Sequence, residues 1–231
     1  MLPTDLETLL LSPLFQGVDA RILRDALPGL FHRKKFAGLS LITQADAPGE
    51  TLFVVTEGVL RVWIHSASGR RIVLRFCGPG QIVGEVALAD DKHRSATVET
   101  LGNATVLWMA HRDLEALADK YPIIWRNLAR ITATRLRQAT IQLGALSSLD
   151  VRGRMAMQFL ALLDDFGVKC SNGTQVLPFR VTQNDLSDLV GATRVSTHSV
   201  MASWKRRALV SVDPQGHFIL HDRAQMEREL F

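Results

Sequence analysis

Between residues 31 and 110 the chain is cut into short β-rich runs, TLFVV, VLRVWI, RRIVLRF, ATVET and ATVLWMA, separated by Pro48-Gly49, Gly58, Ser68-Gly69, Gly78-Pro79-Gly80 and Gly102-Asn103. Turn residues this closely spaced leave no room for helices of ordinary length, so the segment is expected to close as a small antiparallel barrel or sandwich. After His111 the period changes. From Pro122 to Leu146 there is no glycine before Gly144 and no interior proline, and Trp125, Ala129, Thr132, Leu136, Ala139, Leu143 and Leu146 recur at alternating steps of four and three. That is an a/d seam on one long helix. A second apolar stripe, Ile124, Leu128 and Ile131, lies on another face. One stripe suits packing on the β-domain and the other a symmetry mate, C2 dimers being the commonest oligomers.

Short helices flank this core. Thr4, with Glu7 three residues on, reads as a capping box for TDLETLL, and VDARILRDAL is helical up to Pro28-Gly29. Leu146 to Asp150 reads as a hinge, with Asp150 capping a helix through Leu163. Thr182-Gln-Asn-Asp185 opens another helix, Gly191-Ala192 breaks it, and TRVSTHSVMASWKRRALV resumes it before a strand pair, LVSVD and HFILH, about Pro214-Gln215-Gly216. Helix, glycine turn, helix and hairpin is a winged helix-turn-helix pattern.

Composition excludes several classes. A chain of 231 residues, 47% hydrophobic and 22% charged, has room for two modest packed domains. Twenty-seven Lys and Arg against 23 Asp and Glu give a net charge of +4, compatible with nucleic acid. Two cysteines, Cys77 and Cys170, exclude a disulfide framework and a four-cysteine zinc or iron–sulfur site. Apolar runs such as Leu9 to Leu11 are too short to span a bilayer, and MLPTDLETLL lacks the leading positive charge of a secretory signal. A cytoplasmic protein with no membrane partner is expected.

The residues with most chemical content are GQIVGEVAL at 80–88 and RSATV at 94–98. A glycine in such a loop lets backbone N–H groups approach an anion closely. Arg94 supplies a cationic fork for phosphate oxygens, and Ser95 adds a hydroxyl donor. Glu85 would repel phosphate but suits a sugar hydroxyl, so the set points to a nucleotide. Taken without their neighbours, the same residues are a surface turn with an Arg–Glu pair.

They have neighbours. PGETLFVVTEGVLRV at 48–62, GQIVGEVAL and RSATV together resemble the cyclic-nucleotide-binding β-roll. With the long helix and the C-terminal helix-turn-helix, the chain from about Leu11 to His221 resembles the Crp–Fnr superfamily of bacterial transcription regulators; LSPLF, LDVRGRM and DLVGATR carry the same resemblance. It implies an α+β fold: a jelly-roll-like β-roll sensor over 1–120, a dimerisation helix and hinge over 121–147, and a winged helix-turn-helix over 148–231. It places Gly84 and Glu85 in a phosphate-binding cassette, Glu85 accepting the ribose 2′-hydroxyl, with Arg94 and Ser95 on the cyclic phosphate. Members that bind cAMP bring two consecutive hydroxyl residues of the long helix to the purine. The matching positions are Ala139 and Thr140, so Thr140 keeps the pattern and Ala139 departs from it. The stretch from Glu85 to Arg94 is also one residue shorter than in those members. The expected effector is a cyclic nucleotide, cAMP or cGMP, with a cyclic dinucleotide or no nucleotide left open. Neither haem nor an iron–sulfur cluster is expected, because the cysteine cluster and the Cys–His loop of the branches that carry them are absent.

The second site is the recognition helix. Between Leu189 and Val212 there is no acidic residue, while Arg194, Lys205, Arg206 and Arg207 all fall inside. Segregated positive charge on a helix-turn-helix is the footprint of double-stranded DNA. Base edges are expected to meet Arg194, Ser196, Thr197 and His198. Lys205 to Arg207 are assigned to phosphates, and Thr182 and Gln183 to the DNA backbone. Members that read a TGTGA-type half-site carry Arg-Glu-…-Arg here. This chain has Val195 and Ser199 at the other two places, so its pseudo-palindromic operator should differ, with Val195 touching a thymine methyl. A homodimer is implied, with RNA polymerase meeting an exposed patch such as the 167–177 loop.

No catalytic constellation is present: Asp90-Asp91 lack a nucleophile or metal set, and His217 and His221 lack a third ligand. The competing readings are a DNA-binding regulator with a vestigial sensor, or one switched by redox at Cys77 beside Arg75, and a cyclic-nucleotide-binding subunit acting on a protein partner.

Overall fold

The apolar runs of the β-rich segment pair as antiparallel strands because both of their faces are needed for burial. In the computed structural model, which describes residues 2–90, 92–171 and 173–231, the chain divides into two compact units. One is Met1–Ile64 with Leu74–Gln138, the other His65–Val73 with Ala139–Phe231. The division therefore falls inside the long helix.

The elements of the N-terminal part run α1 (Pro3–Leu11), α2 (Ala20–Ala26), β1 (His32–Phe36), β2 (Leu41–Thr43), β3 (Thr51–Glu57), β4 (Leu60–His65), β5 (Arg71–Cys77), β6 (Ile82–Val83), α3 (Glu85–Asp90), β7 (Thr97–Thr100), β8 (Ala104–Ala110), α4 (His111–Lys120) and α5 (Ile123–Ser148). The strands form two four-stranded sheets, ordered β1-β8-β3-β6 and β2-β7-β4-β5. This is the β-roll that the sequence leads one to expect. Strand β3 shows why it forms. Leu52 and Val54 join Leu107, Met109, Leu114 and Ile124 in a cluster shared with the helices, while Phe53 and Val55 join Val62, Cys77, Val98 and Val106 in a second one. A strand buried on both faces reads as a continuous apolar run, as TLFVV does.

One local expectation is corrected. Helix α1 starts at Pro3, not after Thr4: proline is pre-organised for a first turn, and the Asp5 carboxylate accepts from the Leu2 amide at 3.0 Å. The HRKKF segment, not among the β-rich runs named above, forms strand β1, paired along its length with β8 from His32↔Trp108 to Phe36↔Ala104.

Helix α5 buries the Ile124–Leu128–Ile131 stripe and exposes the C-terminal part of the a/d seam. Ile124 and Leu128 are in the first cluster, and Ile131 packs against it. Leu143 is 69% exposed and Leu146 52%.

The second unit contains α6 (Val151–Phe166), β9 (Val168–Lys169), β10 (Gln175–Val176), α7 (Gln183–Val190), α8 (Arg194–Arg206), β11 (Val210–Val212), β12 (Phe218–Leu220) and α9 (Arg223–Arg228). Asp150 caps α6, accepting from the Gly153 amide at 2.8 Å. The expected hairpin is β11–β12, extended by β10 and β9 to four strands. Its core is aromatic: the Phe159 ring lies 5.6 Å from Phe218 and 6.1 Å from Trp204. The Trp204 indole N–H donates to Glu229 at 2.8 Å, so burying the ring leaves no polar atom stranded.

Candidate anion pocket and nucleic-acid interface

In the first unit, β6 turns into α3 through Gly84, whose φ of +95° lies in the left-handed region. A Cβ there would strike the Arg94 guanidinium and come within 2.7 Å of the Thr51 carbonyl oxygen, so only glycine lets this backbone lie against Arg94. Arg94 is 4% exposed. It donates to the Gly84 carbonyl at 3.3 Å and to the Thr51 carbonyl and hydroxyl at 2.6 and 2.7 Å, beside the Phe53 ring. All these acceptors are uncharged, and the Arg94 Nε is buried without one. Burial accordingly holds the Arg94 guanidinium below its usual pKa range. Among the described residues, Arg94 is held by neutral oxygens alone.

Glu85, 1% exposed, follows directly. One carboxylate oxygen is ion-paired with Arg135 of α5 and lies 3.7 Å from Arg75 of β5; the other is buried without a hydrogen-bond partner. Arg135 also donates to the Ile82 carbonyl at 2.5 Å, and Arg75 to the Cys77 sulfur at 3.4 Å. Burial, and after it the like charge of Arg75, brings the Arg135 pKa down to about 9, which leaves it charged at neutral pH.

Of the residues that sequence reasoning nominated, the structure gathers Gly84, Glu85 and Arg94 into one cluster. Ser95 is exposed beside Arg94, and Thr140 is exposed on the stretch of α5 that belongs to the second unit. Sequence reasoning missed Thr51, which anchors Arg94, and Arg135, which holds Glu85. The signal for Arg135 was an arginine one residue before the seam position Leu136, on a helix read only for its apolar residues.

In the second unit, the Thr182 hydroxyl accepts from the Asp185 amide at 3.1 Å and donates to the Asp185 carboxylate at 2.6 Å, capping α7. Gly191, with φ +63°, ends α7 in the left-handed conformation, and Thr193 caps α8 through the Ser196 amide at 3.1 Å. On α8, Arg194, Val195, His198, Ser199, Lys205 and Arg206 are exposed, Val195 by 80%. The His198 ring lies 3.0 Å from the Gln183 side-chain oxygen, joining two nominated residues. The Ser196 hydroxyl is paired with Thr193 at 2.9 Å and half-buried. Thr197 requires a correction. It is 0% exposed, on the helix face that carries Met201 and Trp204 inward, so its side chain is withheld from any surface that DNA could meet. Arg207 is drawn aside by Glu229 at 2.8 Å.

Cys77 is 1% exposed within the β-roll core, whereas Cys170 is exposed. His217 is paired with Asp213 at 3.0 Å and His221 with Ser211 at 2.8 Å, and no metal-ligand cluster occurs among the described residues. Asp91, of the Asp90-Asp91 pair, and Asn172, of the 167–177 loop, lie outside the described residues. Among the described residues no helix is long and apolar enough to cross a membrane.

Comparison with known proteins matches both parts of the chain. A cyclic nucleotide-binding domain family matches residues 33–121, and a Crp-like helix-turn-helix domain family matches residues 153–229. The chain is 29% identical over 220 residues to the cyclic AMP receptor protein of Thermus thermophilus, covering 95% of this chain and 97% of that relative. It is 27% identical over 211 residues to a CRP-like cAMP-activated global transcriptional regulator of Mycobacterium tuberculosis, covering 90% and 92%. Among solved structures, FixK2 from Bradyrhizobium japonicum superposes with a TM-score of 0.77 at 19% identity, over 86% of this chain and 96% of that one. By its β-roll, its helix-turn-helix and these matches, the chain belongs to the Crp–Fnr family of DNA-binding transcription regulators.

Proposed function

We propose that this protein is a homodimeric, cytoplasmic transcription regulator, without catalytic activity of its own, gated by a cyclic nucleotide in the β-roll. The observation that carries the reading is Arg94: a buried guanidinium whose acceptors among the described residues are all neutral, next to a buried carboxylate with one oxygen free of hydrogen bonds. Arg94 takes the cyclic phosphate, with Ser95 beside it, and the free Glu85 oxygen accepts a ribose hydroxyl. Thr140 is assigned to the base. Relatives named as cAMP-activated support a cyclic nucleotide as the effector class.

Leu143 and Leu146, exposed on α5, supply the apolar seam that a second copy covers. In such a dimer two α8 helices enter successive major grooves about 34 Å apart, on a pseudo-palindromic operator. Arg194 reads guanine, Val195 a thymine methyl, and Lys205 and Arg206 hold phosphates, with Thr182, Gln183, Ser196 and His198 completing the contact surface. RNA polymerase is the partner that such a complex addresses. The effector acts only through its differential affinity for the DNA-competent and DNA-incompetent states.

The test is selection of operators from a random duplex library, with and without cyclic nucleotide. Enrichment of a palindrome that depends on nucleotide, with one guanine position relaxed in Arg194→Ala, is expected. Salt-insensitive or absent DNA binding would overturn the proposal.

A further inference from the structure

The β11–β12 hairpin takes the place of a wing, yet it carries no lysine or arginine with which to hold DNA. From Ala208 to Asp222 neither residue type occurs, while Asp213 stands at the turn. The arginines that flank the hairpin are engaged elsewhere, Arg207 by Glu229 at 2.8 Å and Arg223 by Asp164 at 2.7 Å. A cation reaches the turn from another part of the unit. Arg180 is exposed, and it has no ion pair among the described residues. Its backbone is fixed on both sides, by Phe179, whose ring meets Phe166 edge-on at 5.1 Å, and by Val181, which is buried. Its side chain lies against the turn: a Cβ on Gly216 would stand 3.3 Å from the Arg180 Cδ and 3.4 Å from its Cγ and Nε. Gly216 also has φ +89°, so both the backbone conformation and the arginine stem call for glycine there. Asp213, the acid of the turn, is held instead by the His217 amide and ring at 2.8 and 3.0 Å. Two residues beyond Arg180, Thr182 caps α7, whose N-terminus favours an anion.

We propose that Arg180 binds a DNA phosphate and that Gly216 is its positioning residue, so that the wing acts on DNA by buttressing this arginine rather than through side chains of its own. The proposal rests on the reading of α7 and α8 as a DNA-binding helix-turn-helix. A guanidinium whose stem is already packed against backbone has less side-chain freedom to lose on binding. Its planar fork matches two phosphate oxygens at once. Phosphate contacts fix register and carry no base information, so Arg180 strengthens binding to every sequence by a similar factor. Each phosphate neutralised also releases condensed counterions, which adds about 0.9 to the slope of log affinity against log salt.

The experiment is fluorescence anisotropy of the full chain on its selected operator and on a random duplex of equal length, over a series of potassium chloride concentrations. Effector conditions are those of the operator selection, and thermal unfolding establishes that each variant is folded. Arg180→Gln, an exposed change, is expected to weaken both duplexes alike and to lower the salt slope by about 0.9 for each half-site occupied. Arg180→Lys, which keeps the charge, should restore most of the slope. Gly216→Ala changes no charge, yet it should lower the slope in the same way, a result that a loss of stability alone does not produce. Gly216→Asn carries the same Cβ but tolerates a positive φ better, and so repeats the test with less backbone strain. An unchanged slope in folded Arg180→Gln would overturn the phosphate contact. A slope that falls in Arg180→Gln but in neither folded Gly216 variant would overturn the role of the wing. Weakening confined to the selected operator would make Arg180 a base contact and overturn the proposal while leaving the helix-turn-helix reading intact. Absence of salt-dependent DNA binding by the unaltered protein would overturn that reading itself.

Discussion

Replacing Gly84 by alanine separates two costs that the structure keeps distinct. The first is backbone strain: φ is +95° at Gly84, and an L-residue held in the left-handed region loses about 1–2 kcal/mol. The second is collision, because the new Cβ meets the Arg94 guanidinium and the Thr51 carbonyl oxygen. Gly80 isolates the first cost, since its φ is +82° but nothing lies within 4 Å of a Cβ built on it. Gly80→Ala should therefore lose only the strain, a fall in Tm of about 2–8 °C at about 2–4 °C per kcal/mol for a chain of this size. Gly84→Ala adds displacement of Arg94 from three neutral acceptors. Hydrogen bonds to a charged group contribute about 1.5–3 kcal/mol each, so losing even one should roughly double the fall in Tm. Nucleotide binding should survive Gly80→Ala and weaken at least tenfold in Gly84→Ala. Differential scanning calorimetry and titration calorimetry on the pair supply both readings. Equal falls in Tm with equal retained affinity would refute the claim that Gly84 is required by the close approach of Arg94.

Other consequences are as specific. Arg135→Ala leaves the buried Glu85 carboxylate with only the distant Arg75, so thermal unfolding should show a loss of about 3–5 kcal/mol, part of which the double variant Arg135→Ala/Glu85→Ala restores; no loss would mean that the pair is not buried in solution. Thr197→Val removes a fully buried hydroxyl that has no hydrogen-bond partner, so it should leave the selected operator unchanged and raise stability by up to about 1 kcal/mol in chemical denaturation; an altered operator would restore Thr197 to the interface. The Arg207 hydrogen bond, and then that from Trp204, hold the Glu229 carboxyl below its usual range. A carboxylate depressed in the folded state contributes stability that is fully present above the ordinary glutamate range and is lost as pH falls from that range through the lower folded-state value. Acid unfolding of the second unit, followed by Trp204 fluorescence, should therefore shift to higher pH in Glu229→Gln and lose that part of its pH dependence; an unchanged profile would contradict the pairing.

How much of this was legible in the sequence depended on whether a feature was local. Strand β3 was readable because burial on both faces leaves an unbroken apolar run, and the caps at Asp150 and Thr182 because a capping side chain reaches only a few residues along its own chain. Strand β1 was not, since the residues of HRKKF are exposed or half-buried and its strand character comes from pairing with β8, more than sixty residues away. Strands β9 and β10, two residues each, are too short to show any period. At the pocket, Gly84, Glu85 and Arg94 sit in recognisable local motifs, whereas Thr51 acts partly through its backbone carbonyl, which carries no sequence signal. Arg135 reaches Glu85 from fifty residues on. Thr197 was misplaced because adjacency to Ser196 and His198 was given more weight than its helical period with Met201 and Trp204.

The central claim is that Arg94, buried and without a counter-charge among the described residues, binds the phosphate of a cyclic nucleotide. Its most direct test is titration calorimetry of the full chain with cAMP, cGMP and a cyclic dinucleotide, on the unaltered protein and on Arg94→Ala, with thermal unfolding as the control for folding. Saturable binding of at least one of them is predicted, weakened in Arg94→Ala by at least tenfold, the equivalent of about 1.4 kcal/mol for one charge-assisted contact. Absence of binding by the unaltered protein, or binding that folded Arg94→Ala retains in full, would contradict it.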